Sequence, residues 1–454
     1  MLRDGECVLE QYWEPWVGSD RPLVYSASKT FAATAVGLAI GEGRFDLDDH
    51  VVDLVPLAGA DDVDVDVAAI TVHHLLSMST GHTEDTLPAM TQRPPQEWAR
   101  AFGSIRPERP PGSCHVYNNG ASFMLGELVR RHTGADLLDY LRPRLLAPLG
   151  IDATWDRDPM GRCLGWSGLH VDVRGLAALG ELLRCDGVWR GRRLLPDGWV
   201  ARATARQIAT ISDGPEWTYG YGYQVWMGRE GFRLDGAFGQ FAFVLPERGM
   251  VLAVQSAQAD TQCLIDTVWE HLGAVPDEPT GPRPGVPSLP GQPGSDERAP
   301  RRVAVAFPHD SGLGTGWAAA GPVPSDPALF PAGEEVGPPA RIADPVASRT
   351  TEGFRLRMVA EGRPVELTAV TGGWLRQSVA LTGERGAEES LPSPGAVPVA
   401  VAAGVDATGD LRVHLAFTDT PHTLRLRLGA DGTAGQGWTV NPLQGPSLAN
   451  MRAR

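Results

Sequence analysis

The sequence predicts an α+β protein with an all-β unit toward its C-terminal end. Three observations carry that expectation. Ala- and Leu-rich segments with helical spacing recur up to residue 184, and short runs of strand composition separated by Gly, Pro and charged turns fill residues 219–256, as in an antiparallel meander. From Val275 to Pro300 the chain is rich in Pro, Gly, Ser and acid, a composition that cannot build a core and marks a linker. Beyond it, strand-like runs recur. The expected division is a first domain at 1–274, the linker at 275–300 and a β-rich domain at 301–454.

Taken in order, Glu6 to Trp13 reads as a strand, and the segment through Asp20-Arg21-Pro22 as a loop that delivers Ser26 to an apolar helix, Ala32 to Ile40, ended by Gly41 and Gly43. Ile70 to Gly81 begins extended and becomes a short helix. Its Ser77-x-Ser79-x-Gly81 lacks the first glycine of a nucleophile elbow, and no complete Gly-x-Ser-x-Gly occurs, which disfavours an α/β-hydrolase. A turn-rich loop, Pro111 to Gly120, leads into a helix from Ala121 to His132. Further helices are expected at Leu137–Leu146 and Arg174–Arg184, with the glycine-rich loop Gly165 to Leu169 placed to line a pocket. Strands follow at Tyr219–Met227, Phe232–Ala237, Phe241–Leu245 and Val251–Ser256, then a closing amphipathic helix at Thr261–Leu272. In the last third, Val303–Phe307, Phe354–Val359, Val365–Val370, Trp374–Leu381, Leu411–Phe417 and Thr423–Leu428 read as strands of a small barrel or sandwich. Gly312 to Gly316 opens no helix, so a phosphate loop there is not expected.

One residue organises the functional reading. Of 40 Lys plus Arg, 39 are Arg, and Lys29 is the lone lysine. Arginine serves equally for surface charge, but a guanidinium cannot lose its proton whereas a buried ammonium can, so Lys29 marks a position that needs lysine. Ser26 stands three residues earlier, one helical turn away, at a helix start whose dipole favours negative charge on the serine oxygen. Of seven tyrosines only Tyr117 has an asparagine two residues on, and two of the four asparagines, Asn118 and Asn119, lie in that loop.

Composition excludes several classes. The net charge is −15, and from residue 301 onward 14 Arg face 15 acids, so neither half is basic and neither nucleic acid nor an anionic membrane is an expected partner. Eight aspartates between Asp46 and Asp66 lack the glycine and final glutamate of a calcium loop and read as a solvated loop. Five scattered cysteines (Cys7, Cys114, Cys163, Cys185, Cys263) have no metal spacing and fit reduced thiols in a cytoplasm. No stretch has the length of a membrane span, and Met1 to Asp4 has no apolar signal core. No metal and no cofactor is expected.

Ser26-x-x-Lys29, then Tyr117-x-Asn119, then Ala237-Phe238-Gly239-Gln240 on a strand resemble, in order and rough spacing, the penicillin-recognising serine hydrolases, nearest to the class C β-lactamase and esterase-like branch. Phe45-Asp46-Leu47-Asp48-Asp49 and Thr71 to Leu76 look like segments of the same family, and the likeness covers roughly residues 5 to 273. The β-rich tail is similar only to accessory barrels of some relatives. The resemblance implies a helical lobe and an antiparallel sheet with the site between them. It implies that Ser26 attacks a carbonyl and becomes acylated, that Lys29 holds or takes its proton, and that Tyr117 relays a proton to the leaving group and later activates water. Asn119 would bond Lys29 or a substrate amide, and the backbone N–H groups of Ser26 and Gln240, beside Gly239, would hold the oxyanion.

Two departures shape the substrate expectation. Relatives that read β-lactam or peptide carboxylates carry Lys-Thr-Gly, others His-x-Gly, but here Ala237 puts a methyl where the cation or imidazole would sit. Arg233 shares its face but lies roughly 13 Å up the strand. Weak or absent β-lactam hydrolysis is therefore expected, with a small-molecule ester or amide as substrate. The helix and strand that relatives carry before the segment matching Gly5 to Trp13 are absent, which implies an exposed sheet edge or a late start that could hide an export signal. Acyl transfer or peptide cyclisation on the same fold is the alternative enzyme reading. A vestigial-site binding protein is the non-enzyme one, and the oligomeric state is not specified by the sequence.

Overall fold

The computed structural model describes residues 1–57, 64–212, 214–272, 301–303, 310–331, 336–381 and 396–452. The expected linker, 275–300, and residues 304–307 of the first tail strand lie outside them. The chain forms two compact units. One contains the described residues of Met1–Glu10, Val24–Gln255 and Asp260–Ala299, the other those of Gln11–Leu23, Ser256–Ala259 and Pro300–Arg454.

The first unit is built on a six-stranded antiparallel sheet. Its strands are β1 (Leu2–Arg3), β2 (Glu6–Cys7), β3 (Trp226–Met227), β4 (Phe232–Gly236), β5 (Gln240–Leu245) and β6 (Met250–Val254), in the order β2-β1-β6-β5-β4-β3. β5 is buried at every position because both of its faces are covered. Ala242 and Val244 face the core shared with helix α3 (Val173–Arg184), where Gly180 lets the helix approach: a Cβ there would sit 2.9 Å from Val251. Phe241, Phe243 and Leu245 face helix α4 (Thr261–Leu272) through Ile265, Val268 and Leu272. The helical lobe centres on α1 (Ser28–Gly41), buried around nearly its whole circumference, and on α2 (Asn119–Thr133), which starts at an Asn118 cap and stops at left-handed Gly134. Helices plus an antiparallel sheet are thus the observed architecture, as the sequence predicts. Among the described residues no helix is long and apolar enough to cross a membrane.

Local differences have local causes. The run Glu6–Trp13 is not one strand: Glu6–Cys7 joins the sheet, while Gln11–Trp13 belongs to the second unit and pairs in parallel with Arg301–Val303. The helix expected at Leu137–Leu146 is α-helical to Leu141 and then widens into a π-type turn, Arg142–Leu146, because Pro143 has no N–H to continue the ladder. Of Tyr219–Met227 only Trp226–Met227 is strand, since Gly222 closes a turn onto Val225.

In the second unit a nine-stranded sheet runs Gly316–Ala318, Ile342–Arg349, Gly353–Ala360, Arg363–Thr371, Ala396–Val405, Leu411–Phe417, Thr423–Leu428, Ala434–Trp438, with Leu375–Ala380 also paired to Ala396–Val405. Alternation sets its inner face: Phe354, Leu356, Met358 and Ala360 are buried while Arg355 and Arg357 are exposed. The sheet curls far enough for residues 322–326 to bridge both ends, with the Val323 amide on the Ile342 carbonyl (2.8 Å) and the Gln436 amide on the Pro324 carbonyl (3.0 Å).

Candidate active site

Ser26 lies in a single 3₁₀ turn, Tyr25–Ala27, that runs directly into α1. The turn is held from three sides. Tyr25 adopts φ +48°, a conformation unusual for an aromatic residue, with its ring edge-on to Phe238 at 5.4 Å. The Ser28 hydroxyl donates to the Tyr25 carbonyl (2.5 Å) and accepts from the Leu169 amide (3.0 Å). Strand β4 presses against the turn at Gly236, where a Cβ would come within 2.2 Å of the Val24 carbonyl oxygen and 3.1 Å of the Ala27 nitrogen, so only glycine fits.

One helical turn on, Lys29 is 1 % exposed. Its Nζ donates to Ser26 Oγ (3.0 Å) and to the Trp166 carbonyl (2.6 Å) and lies 4.8 Å from the centre of the Tyr117 ring. Burial brings the ammonium down to about 7, against the opposing pull of the Asp85 and Asp235 carboxylates. A large fraction of Lys29 is therefore neutral at physiological pH. The Tyr117 phenol shares a hydrogen bond with Ser26, and its ring stacks on Trp226 (6.0 Å, 14°). Burial pushes this phenol well above its usual range, the hydrogen bond to Ser26 opposes the rise, and Asp235 and Asp85 reinforce it. At rest the phenol is a proton donor.

The loop bearing Tyr117 is fastened by main-chain bonds, Val116 amide to Met78 carbonyl (3.0 Å) and Gly112 amide to Ser79 carbonyl (2.7 Å). Just beyond it, buried Asn118 accepts from the Thr86 amide and hydroxyl and from the Ala121 amide, fixing the start of α2.

Ser26, Lys29 and Tyr117 are thus brought together. Asn119 donates to Asp85 rather than to Lys29: its side-chain amide bonds Asp85 Oδ2 (2.7 Å) and its backbone amide Asp85 Oδ1 (2.8 Å). On Lys29 the Trp166 carbonyl supplies the further contact. Gly239 (φ +84°) and Phe238 (φ +62°) form the tight turn between β4 and β5 and set Gln240, buried, opposite Gly236 in the register. Arg233 is bound to protein groups through two of its three guanidinium nitrogens. It is buried, with Nε on Asp235 Oδ2 (2.8 Å) and Nη1 on the Glu216 carbonyl (3.0 Å).

Three neighbours escape sequence reasoning. Trp166 contributes a backbone carbonyl, which no side-chain type announces, although its glycine-rich loop is recognisable as pocket-lining. Asp85 and Asp235 are ordinary acids in sequence. Their significance lies in acting on both Lys29 and Tyr117.

A helical lobe against an antiparallel sheet, with serine, lysine and tyrosine meeting at the start of the central helix, is the arrangement of the penicillin-recognising serine hydrolases. The family model for Beta-lactamase matches residues 1–265, more than half of the chain, and the chain belongs to that family. It is 27 % identical over 222 residues to the 6-aminohexanoate-dimer hydrolase of Paenarthrobacter ureafaciens, covering 45 % of this chain and 56 % of that one. It is 25 % identical over 254 residues to the D-aminopeptidase of Brucella anthropi, covering 49 % and 47 %. The chain therefore spans about half the length of the curated relatives it matches, both of them hydrolases. A solved structure from Bacillus anthracis, provisionally assigned as a 6-aminohexanoate-dimer hydrolase, superposes with a TM-score of 0.51 at 21 % identity over 61 % of this chain and 79 % of that one, a likeness of fold.

Proposed function

We propose that the chain is a serine hydrolase that cleaves a small-molecule ester or amide through a Ser26 acyl-enzyme. The observation that carries this reading is the convergence of Ser26, a Lys29 brought down to about 7, and a protonated Tyr117 on one point. As Ser26 Oγ attacks the carbonyl carbon, neutral Lys29 takes its proton. The oxyanion forms against the backbone N–H groups of Ser26 and Gln240. Tyr117 gives its proton to the departing alcohol or amine and is reprotonated from Lys29. Water then attacks the acyl-enzyme, its proton passing to Tyr117 or Lys29 and from there to Ser26 Oγ as the C–Oγ bond breaks and the acid is released. Asn119, oriented by Asp85, is positioned to meet a substrate amide.

Amide-cleaving relatives support the reaction class, and Ala237 supports weak or absent β-lactam hydrolysis. The cysteines, all free, support a reducing, cytoplasmic setting. The deciding experiment is covalent: a fluorophosphonate should label wild type at Ser26, located by peptide mapping, and leave Ser26→Ala unlabelled, with nitrophenyl ester turnover falling at least about 10³-fold in the variant. A correctly folded wild type that resists the probe rules the reading out.

A further inference from the structure

We propose that Asp235 determines specificity at this site and selects acyl donors carrying an ammonium close to the scissile carbonyl. This rests on the reading of Ser26 as nucleophile and names the chemistry of what it attacks.

Asp235 precedes Gly236, the residue of β4 that touches the nucleophile turn, and by strand alternation it shares a face with Ala237 and Arg233. Its two oxygens are unequal. Oδ2 accepts from Arg233 Nε (2.8 Å) and Trp217 Nε1 (2.9 Å), which fixes the carboxylate, while among the described residues nothing donates to Oδ1. The side chain is 14 % exposed. With Oδ2 occupied, Oδ1 is the acceptor that Asp235 has left for a bound donor. Its charge also reaches Lys29, Tyr117 and Tyr221, which places it at the reacting groups.

The surrounding charges give the site its sign. Asp85 is occupied by the Leu87, Asn119 and Gly120 amides and the Asn119 side chain, and its electrostatic effect reaches both Lys29 and Tyr117. Arg233 is engaged by Asp235 and by Glu216. Lys29 is partly neutral near pH 7. Position 237, where a carboxylate-reading relative places a cation, holds a methyl. A substrate carboxylate thus meets two acids and no available cation, whereas an ammonium meets an open acceptor at Asp235. Half-buried Trp226 and the Tyr221 ring, 4.9 Å apart beside Tyr117, add aromatic faces that attract a cation.

The test compares two phosphonate diphenyl esters that differ only in charge, one with a free α-ammonium and one with that nitrogen acetylated. Each acts when Ser26 Oγ forms a bond to phosphorus and expels phenoxide. In wild type the ammonium probe should label Ser26 at least about tenfold faster than its acetylated twin. In Asp235→Asn, whose amide oxygen still accepts from Arg233 and Trp217, the ratio should fall to within about twofold of one; the ratio cancels whatever loss of the Asp235 charge does to Lys29 and Tyr117, because that change acts on both probes alike. A wild-type ratio at or below one overturns the proposal even if the variant fails to fold, and so does a ratio that Asp235→Asn leaves unchanged. Labelling by both probes without preference refutes the ammonium subsite while upholding Ser26 as nucleophile. Labelling by neither refutes both.

Discussion

The two units treat buried polarity in opposite ways. Among the described residues of the first, four of the seven non-glycine residues in left-handed conformation lie about the candidate site: Tyr25 beside the nucleophile, Met78 under the Tyr117 loop, Gln224 against α1 and α2, and Phe238 in the β4–β5 turn, the other three being Asp4, Asp186 and Arg190. There a lysine and two tyrosines are held far from their ordinary titration ranges. Among the described residues of the second unit such residues are Asp344, at a bulge, and Glu361, in a hairpin turn. Its carboxylates sit in surface ion pairs that make them more comfortably charged, as at Asp310 and Asp406, both lowered to about 2. Strain and desolvated charge persist only where the surroundings over-determine them, and here they concentrate where chemistry is proposed. Among its described residues the second unit has desolvated groups too, His414 and His422, which burial lowers to about 4 and about 3, but there burial favours the neutral imidazole and no cluster of such groups meets at one point.

The sharpest way to break this contrast is at Lys29. Lys29→Arg keeps a cation but not a removable proton, so ester turnover should fall by about 10³-fold or more, and survival of activity would remove the general base. In wild type kcat/KM should climb with pH and level off near 7, where the neutral amine takes over. The same burial has a cost in stability. The folded-state value, about 7, lies below the ordinary 10.5, so between those limits the folded protein binds fewer protons than the unfolded chain and wild-type stability rises with pH. Lys29→Met should therefore be inactive yet more stable at pH 7, by on the order of 2 kcal/mol, with the gain vanishing above pH 10 in denaturant titrations.

A smaller effect is expected where the chain passes between units. Gln11–Trp13 depends on Arg301–Val303, and the Leu23 amide donates to the Asp419 carbonyl (2.9 Å), three residues before Ser26. A chain ending after Leu272 loses both partners. Limited proteolysis should then cut within residues 11–23 at protease doses the full chain resists; protection equal to that of the full chain would mean that this segment is held by other contacts.

This is also where sequence reading reaches its limit. Lys29 was legible because a single lysine among arginines has a physical meaning that needs no partner, and Tyr117 because its Tyr-x-Asn stood alone. The closing helix Thr261–Leu272 and the strands Leu411–Phe417 and Thr423–Leu428 were legible to the residue, since local alternation or helical spacing specifies them. Ala396–Val405 was not: Val397, Val399, Val401 and Val405 alternate with small apolar residues and Pro398 rather than with polar ones, and burial on both faces from Val399 on removes the contrast that marks a half-buried strand. Ile342–Arg349 is masked by Asp344 and Pro345 at a bulge. The pairing of residue 11 with residue 301, the Trp166 carbonyl and the open oxygen of Asp235 are products of tertiary contact and have no local signature.

The gentlest test lies in the second unit. Arg349 grips Asp310 with two parallel bonds, 2.7 and 2.9 Å, while its guanidinium lies 4.8 Å from the centre of the Phe354 ring. The grip lowers the carboxyl to about 2 from an ordinary 3.8, so its stabilisation is complete above 3.8 and disappears as pH falls through about 2. Solvent screening of a pair near the surface reduces the effect to roughly 1 kcal/mol at neutral pH. Asp310→Asn should lower the unfolding midpoint by that amount at pH 7, match wild type near pH 2, and leave fluorophosphonate labelling of Ser26 within about twofold of wild type. A change in labelling as large as that of a Lys29 substitution would dissolve the contrast, because charge in the second unit would then be tuned to the chemistry of the first.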